Sequence, residues 1–143
     1  MKEMDFKLLT LEISRYAILV LLLYTGLHKI FDINFFEENL LKSNLLSDYT
    51  IYVKYPLPIV EIIICFLLFF DKTFLKGLYS SLFLLLSFTF YLIALNNFSF
   101  FYGCSCGGIF NEMDYVEHVF INIFFILINI ISIYLYNDKY YKK

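Results

Sequence analysis

Long runs of apolar residues alternate with short polar segments along this chain. The apolar runs lie at about residues 11–31, 51–70, 74–95 and 115–136. Each run reaches the roughly 20 residues that a helix needs to cross ~30 Å of hydrocarbon. Polar residues inside the first run, Arg15 and His28, can extend their polar ends toward the membrane surfaces. The pattern predicts an all-α membrane protein, a four-transmembrane-helix bundle that forms a single domain over residues 1–143.

The first connection between runs has a helical pattern of its own. Phe36, Leu40, Leu41 and Leu45 recur at helical spacing, and the charged residues between them fall on other faces. A short interfacial helix, which lies on the membrane surface, has this pattern. We therefore expect such a helix in the first outer loop.

Composition excludes two classes of protein. Hydrophobic residues make up 61% of the chain, whereas an ordinary globular protein is roughly 45–50% apolar, so a water-soluble enzyme is excluded. The 11 Lys and Arg residues against 13 Asp and Glu residues leave a formal charge of −2. Since no basic stripe is present to hold a phosphate backbone, nucleic acid is not an expected partner. The lipid bilayer is the expected surroundings.

The basic residues indicate how the runs cross the membrane. The first run is interpreted as an uncleaved helix, because no small-x-small cleavage site follows Gly26. Eight basic residues then fall on one side: Lys2, Lys7, Arg15, Lys72, Lys76, Lys139, Lys142 and Lys143. The other side has three: Lys29, Lys42 and Lys54. Because Lys and Arg favour the cytoplasmic side, we expect a bacterial inner-membrane protein with both termini in the cytoplasm and the 96–114 connection in the periplasm.

That last connection carries a closely spaced cysteine pair, Cys104 and Cys106, between glycines. Glycine permits the backbone bend that a disulfide across one residue requires. A ring of this size is strained, and a strained disulfide in an oxidising compartment is labile and competent for exchange. The spacing therefore favours a redox pair. Two alternatives stay open: cysteines that only brace the loop, and a Cu(I) site completed by His118.

Glu61 lies within the second run, where a charged residue costs on the order of 2.5 kcal/mol or more unless it is neutral or paired. Lys29, at the outer end of the first run, is its expected partner. The two residues either handle protons or form a structural ion pair that holds two helices together. Cys65 follows Glu61 on the same helical face and is interpreted as a small buried hydrophobic residue.

The fourth run begins with Glu117 and His118 and continues as a polar stripe. His118, Asn122, Asn129 and Ser132 recur along one helical face. Polar side chains in lipid are expected to turn toward neighbouring helices. His118 follows Cys106 by 12 residues, so its imidazolium is a candidate for favouring the reactive thiolate form of the pair. Alternatively, it bonds only water and lipid headgroups at the interface.

Several motifs together resemble those of a known membrane protein family. They are Thr25–Ile30 at the end of the first run, Tyr55–Glu61 at the start of the second, the CSCGG motif Cys104–Gly108, and Glu117, His118 and Asn122. These motifs, which span nearly the whole chain, are similar to those of the MauE/DoxX family of small four-helix membrane proteins. The likeness is greatest to the branch in which an EH pair follows the CSCGG motif.

The resemblance implies periplasmic thiol-disulfide chemistry. By position, Cys104 and Cys106 would be the redox pair. On our own interpretation we add Glu61 or His118 as the residue that handles protons, and Glu117 as a further candidate of the same site. The methylamine-utilisation branch supports maturation of a disulfide-rich dehydrogenase subunit, and DoxX-like relatives are tied to quinone-linked oxidoreductases. The resemblance thus implies a thiol-disulfide oxidoreductase with a periplasmic or membrane redox protein as partner and a quinone as candidate cofactor.

One departure limits what is carried over. The better-known branch has an aromatic residue after its second cysteine, whereas this chain has Gly107. The resemblance therefore extends to the fold and the redox association and not to methylamine metabolism. The rival hypothesis is a non-catalytic membrane subunit or assembly partner of a larger complex, with cysteines that are structural.

Overall fold

The computed structural model describes residues 2–43, 45–98 and 114–141, and the side chains of residues 6–43, 45–97 and 114–138. Within these ranges the chain is helical with no strand. The helices are α1 (Lys2–Phe31), α2 (Ile33–Lys42), α3 (Thr50–Lys54), α4 (Pro56–Phe69), α5 (Phe74–Phe98) and α6 (Tyr115–Tyr141), and a 3-10 turn at Ser47–Tyr49 precedes α3. The predicted all-α class is confirmed.

The four long helices pack in a ring in which α1 contacts α4, α4 contacts α5, α5 contacts α6, and α6 contacts α1. The first turns of α1 meet the last turns of α6, where Lys7 Nζ lies 2.7 Å from Asp138 Oδ2. At the other end of α1, Lys29 reaches Glu61 in the first half of α4. Consecutive long helices therefore run antiparallel. We call the end of the bundle that contains Lys29 and Glu61 the Lys29 end.

Among the described residues, three helical segments are long and apolar enough to cross a membrane: Ser47–Phe69, Phe74–Asn97 and Tyr115–Asp138. Their mean hydropathies lie between 1.9 and 2.3. The predicted runs at 51–70, 74–95 and 115–136 fall on these segments. Helix α1 covers the predicted first run and packs beside them, but it is not one of the three candidates. A fourth span through α1 therefore stays a prediction.

The interior of the ring is built from aliphatic side chains at helical spacing. On α1, Leu11, Ile18 and Leu22 are buried, and they pack in one cluster with side chains from α4 and α5. Large apolar side chains also cover the outside of the bundle; Phe83 and Phe90, for example, are 74% and 73% exposed. A bundle with apolar residues on both its inside and its outside is suited to lipid rather than to water.

The expected helix in the first outer loop is present as α2. Within α2, Phe36 and Leu40 are buried. Leu41 and Leu45, which were expected on the same face, are instead 56% and 38% exposed. Glu37 of α2 accepts a hydrogen bond from Lys54 of α3 at 2.5 Å, which holds the two short helices together. The location of α2 at a membrane surface stays a prediction.

Arg15 extends toward one end of the bundle as expected, but protein rather than solvent surrounds it. Its guanidinium donates hydrogen bonds to the carbonyl oxygens of Leu68 and Phe69 at the end of α4, and to Asp71 Oδ1 at 2.6 Å. The last carbonyls of a helix have no intrahelical partner, and a cation there also interacts favourably with the helix dipole. Arg15 therefore caps α4 from the neighbouring helix.

Gly77 allows α5 to pack directly against the end of α4. A Cβ atom at this position would lie 2.8 Å from the backbone nitrogen of Leu68 and 2.9 Å from the carbonyl carbon of Leu67. Thr73 also ties the connection to α4, because its hydroxyl donates to the Leu67 carbonyl at 2.9 Å. The α4–α5 connection is therefore closely packed.

Candidate functional site

A buried ion pair between Lys29 and Glu61 lies at the centre of the candidate site. Lys29 Nζ is 2.6 Å from Glu61 Oε1, and the two side chains are 1% and 0% exposed. The expected pairing is thus confirmed. Gly26 lies one turn before Lys29, and a Cβ atom there would come within 3.2 Å of Glu61 Oε2. The small residue leaves room for the carboxylate between α1 and α4.

Aromatic rings surround the Lys29 ammonium. Its Nζ atom lies 5.1 Å from the ring centre of Phe88 on α5 and 5.9 Å from that of Phe36 on α2. A cation over an aromatic face is attracted by the ring quadrupole, most strongly where water is absent. Lys29 is therefore held by α4, α5 and α2 together.

Two buried polar atoms near the ion pair have no hydrogen-bond partner in the described structure. They are Glu61 Oε2 and Asn122 Nδ2. Asn122 also lines a cavity of about 20 Å³, which it shares with Thr25, Lys29 and His118 as the other polar lining residues. Four polar side chains thus meet at a cavity that is just large enough for one water molecule, and we call it the polar cavity.

The polar stripe of α6 faces the interior, as predicted. His118 and Asn122 are 3% and 6% exposed, and Asn129 and Ser132 are fully buried. His118 and Asn122 reach the cavity beside Lys29. Further along α6, the Asn129 amide lies 2.6 Å from Ser81 Oγ of α5, so this part of the stripe joins two helices.

Two other candidate residues lie apart from this polar site. Glu117, which precedes His118, is exposed. Cys65 is buried, with its Sγ 3.7 Å from the carbonyl oxygen of Leu19. This environment agrees with the interpretation of Cys65 as a small core residue.

A second, larger and apolar chamber also borders Lys29. It has a volume of about 230 Å³ and lies between α4, α5 and the loop that contains α2 and α3. Its lining residues are Lys29, Phe36, Leu40, Leu46, Val53, Leu57, Leu84, Ser87, Phe88 and Tyr91. The Tyr91 hydroxyl donates to Ser43 Oγ at 2.9 Å, which holds the C-terminal end of α2 against α5. Sequence reasoning did not find this chamber.

The predicted redox pair, Cys104 and Cys106, lies outside the described residues. The segment that carries it joins the end of α5 to the start of α6, and both of these lie at the Lys29 end, as the contacts of Tyr91 and His118 show. Among the described residues, no group of three His, Cys, Asp or Glu side chains is placed to hold a metal ion.

Comparison with known proteins gives one match. A family model described as "Methylamine utilisation protein MauE" matches residues 7–135, which is most of the chain. No curated protein matches the sequence, and no solved structure does. The matched range contains most of α1, all of α2 to α5, most of α6 and both cysteines of the CSCGG motif.

Proposed function

The chain belongs to the MauE family, and from this premise we propose that it is a membrane protein that exchanges thiols and disulfides through Cys104 and Cys106. The partner would be a periplasmic or membrane redox protein. Its disulfide is attacked by one thiolate, and the second cysteine resolves the mixed disulfide. In the opposite direction, a partner dithiol reduces the Cys104–Cys106 disulfide and is itself oxidised.

The observation that carries this proposal is the position of the buried polar site. Lys29, Glu61, His118 and Asn122 lie at the end of the bundle where the cysteine-bearing segment leaves α5 and enters α6. Oxidation of a dithiol to a disulfide releases two electrons and two protons. Titratable groups at this end of an apolar bundle supply places where such protons can be held.

The electrons need an acceptor, and a membrane quinone is our candidate. The dithiol and the quinone would yield the disulfide and the quinol, with two electrons and two protons transferred. The bacterial inner membrane supplies such compounds in its lipid phase. With both termini in the cytoplasm, the Lys29 end would lie at the periplasmic side, where disulfides persist.

A second candidate function is a non-catalytic subunit that stabilises a larger membrane complex. It is favoured by the ion pair between Lys29 and Glu61, because a buried ion pair can also serve only to hold two helices together. The cysteines would then brace the loop. The two functions differ in whether the cysteine pair changes oxidation state.

Thiol trapping in native membranes tests the proposal. We expect Cys104 and Cys106 to alternate between disulfide and dithiol when mild reductant or oxidant is added, and Cys106→Ser to accumulate a mixed disulfide with the partner through Cys104. Cys65→Ser is the matched control, since Cys65 is buried in the core and its loss should change neither result. A pair that is always oxidised and resists mild reductant would instead support the structural subunit.

A further inference from the structure

The apolar chamber beside Lys29 has the properties of a ligand site. We infer that it binds the ring of a neutral, membrane-soluble carbonyl compound of the quinone class, with the Lys29 ammonium donating a hydrogen bond to a carbonyl oxygen. This inference deepens the proposed function, since it places the electron acceptor. The role of the bound compound as electron acceptor rests on that proposal. Its binding to the chamber does not depend on the cysteines.

The size of the chamber limits the ligand to a single small ring system. Pockets for drug-sized molecules have volumes of about 300–1,000 Å³, whereas this chamber has about 230 Å³. Ser87 lines the chamber and is exposed on the outside of α5, so the chamber reaches the surface of the bundle there. An apolar tail attached to the ring has a route from the chamber into lipid.

The polar lining indicates where the ligand's oxygen would bind. The Ser87 hydroxyl donates to the Phe83 carbonyl at 2.8 Å, and the Tyr91 hydroxyl donates to Ser43 Oγ at 2.9 Å. Lys29 has three N–H hydrogens, and within the described residues one of them is donated to Glu61 Oε1. Lys29 is therefore the polar lining residue with donor capacity left for a ligand.

The charges at the site select a neutral compound. Glu61 already balances the charge of Lys29 at 2.6 Å, so a carboxylate or phosphate in the chamber would add an unbalanced negative charge among apolar side chains. Burial of an unpaired charge is strongly unfavourable. A second cation would be repelled by Lys29. A neutral carbonyl oxygen, in contrast, accepts a hydrogen bond without a change of net charge.

The chamber walls favour a flat ring. The rings of Phe36 and Phe88 both lie within 6 Å of the ammonium and both line the chamber. Aromatic side chains interact with other rings through stacked and edge-to-face arrangements beyond the effect of buried area. A ring with carbonyl groups on its edge can contact these walls and reach the ammonium at the same time.

Binding of duroquinone to the purified full-length protein in nanodiscs tests the inference. The chain contains 13 Tyr and no Trp, so saturable quenching of its tyrosine fluorescence reports binding, and variants of the chamber show where the ligand binds. Durene has the same ring and methyl groups without the carbonyl oxygens, and we expect it to compete about tenfold more weakly or worse, as loss of a hydrogen bond to a charged donor predicts. Equal competition, or quenching that does not saturate, would overturn the inference.

Two variants with matched controls locate the site. Leu84→Phe fills the chamber and should weaken duroquinone binding about tenfold or more, whereas Leu86→Phe, on the exposed face of the same helix, should leave it unchanged. The double variant Lys29→Met with Glu61→Leu removes the donor without leaving an unpaired charge. It should bind duroquinone no more tightly than durene, and its thermal unfolding shows whether the bundle is intact.

The same measurement separates this inference from the proposed function. The double variant Cys104→Ser with Cys106→Ser should bind duroquinone as the original chain does. If thiol trapping fails and this variant still binds saturably, the chamber is a ligand site in a protein without thiol exchange. If trapping succeeds but neither the original chain nor the cysteine double variant binds duroquinone, the chamber assignment is refuted and the redox proposal stands. The same conclusion follows if Leu84→Phe binds duroquinone as tightly as Leu86→Phe.

Discussion

Removal of one member of the Lys29–Glu61 pair is the most direct test of what the buried charges do. Lys29→Met keeps an unbranched side chain of similar length and deletes the ammonium. Glu61 then keeps its carboxylate at 0% exposure, with no cation to balance it. Its Oε2 atom has no hydrogen-bond partner in the described part of the chain, so there both oxygens would be unsatisfied.

The expected magnitude follows from the complete burial of both side chains. Loss of one partner from a buried ion pair destabilises a protein by about 3–5 kcal/mol. Glu61→Gln should have a smaller effect, because the amide oxygen still accepts from Lys29 and the rings of Phe36 and Phe88 still contact the ammonium. The double variant Lys29→Met with Glu61→Leu should recover most of the loss, since apolar replacement of both charges is often neutral or stabilising.

Equilibrium unfolding in a single detergent, followed by circular dichroism, measures these differences. The double-mutant cycle isolates the coupling between the two side chains. Lys7→Met is a surface control, because the Lys7 side chain is 50% exposed in its ion pair with Asp138. Exposed ion pairs contribute little to stability. Two results would refute the argument that the pair must be complete. One is a free energy of unfolding for Lys29→Met equal to that of Lys7→Met, and the other is a double variant no more stable than Lys29→Met.

Three further predictions concern packing, orientation and the cysteine site. Gly77→Ala should destabilise the bundle by about 1–3 kcal/mol in the same unfolding assay, because its Cβ would meet the α4 backbone at 2.8 Å; an unchanged stability would contradict this packing. In a cysteine-free chain, Asn97→Cys should react with an impermeant maleimide in intact spheroplasts and Lys72→Cys only after lysis, and the reverse labelling would invert the proposed topology. His118→Ala should slow alkylation of Cys104 near neutral pH if the imidazolium favours the thiolate, and an unchanged rate would remove His118 from the thiol site.

The features that could be predicted from sequence depend on the lipid environment more than on exact contacts. Apolar runs indicated the helices because a span must satisfy its backbone internally, and the runs agree with the ends of α4, α5 and α6 within a few residues. Glu61 and Lys29 could be paired in advance because an acidic side chain in an apolar run requires a partner. The inward direction of His118 and Asn122 could be predicted for the same reason, since a polar side chain exposed to lipid is unfavourable.

The features that could not be predicted depend on distances between helices. The chamber beside Lys29 exists because α2 and α3 fold over α4 and α5, and helical periodicity contains no information about that contact. The same holds for the hydrogen bond from Tyr91 to Ser43, which joins residues far apart in the chain. Phe88 gave no sign of its contact with Lys29, since it is one of many phenylalanines in an apolar run.

Arg15 and Gly77 show that the two ends of this bundle are organised for different tasks. At the α4–α5 connection, Arg15 caps the carbonyls of α4, and Gly77 brings α5 into contact with the α4 backbone, so polar groups and packing there are satisfied within the protein. At the Lys29 end, Glu61 Oε2 and Asn122 Nδ2 are buried and have no hydrogen-bond partner among the described residues. Unsatisfied groups persist where function requires them and the rest of the fold supports them. The closely packed end therefore stabilises the bundle, which allows the Lys29 end to keep a polar cavity and an apolar chamber that are both lined by one buried cation.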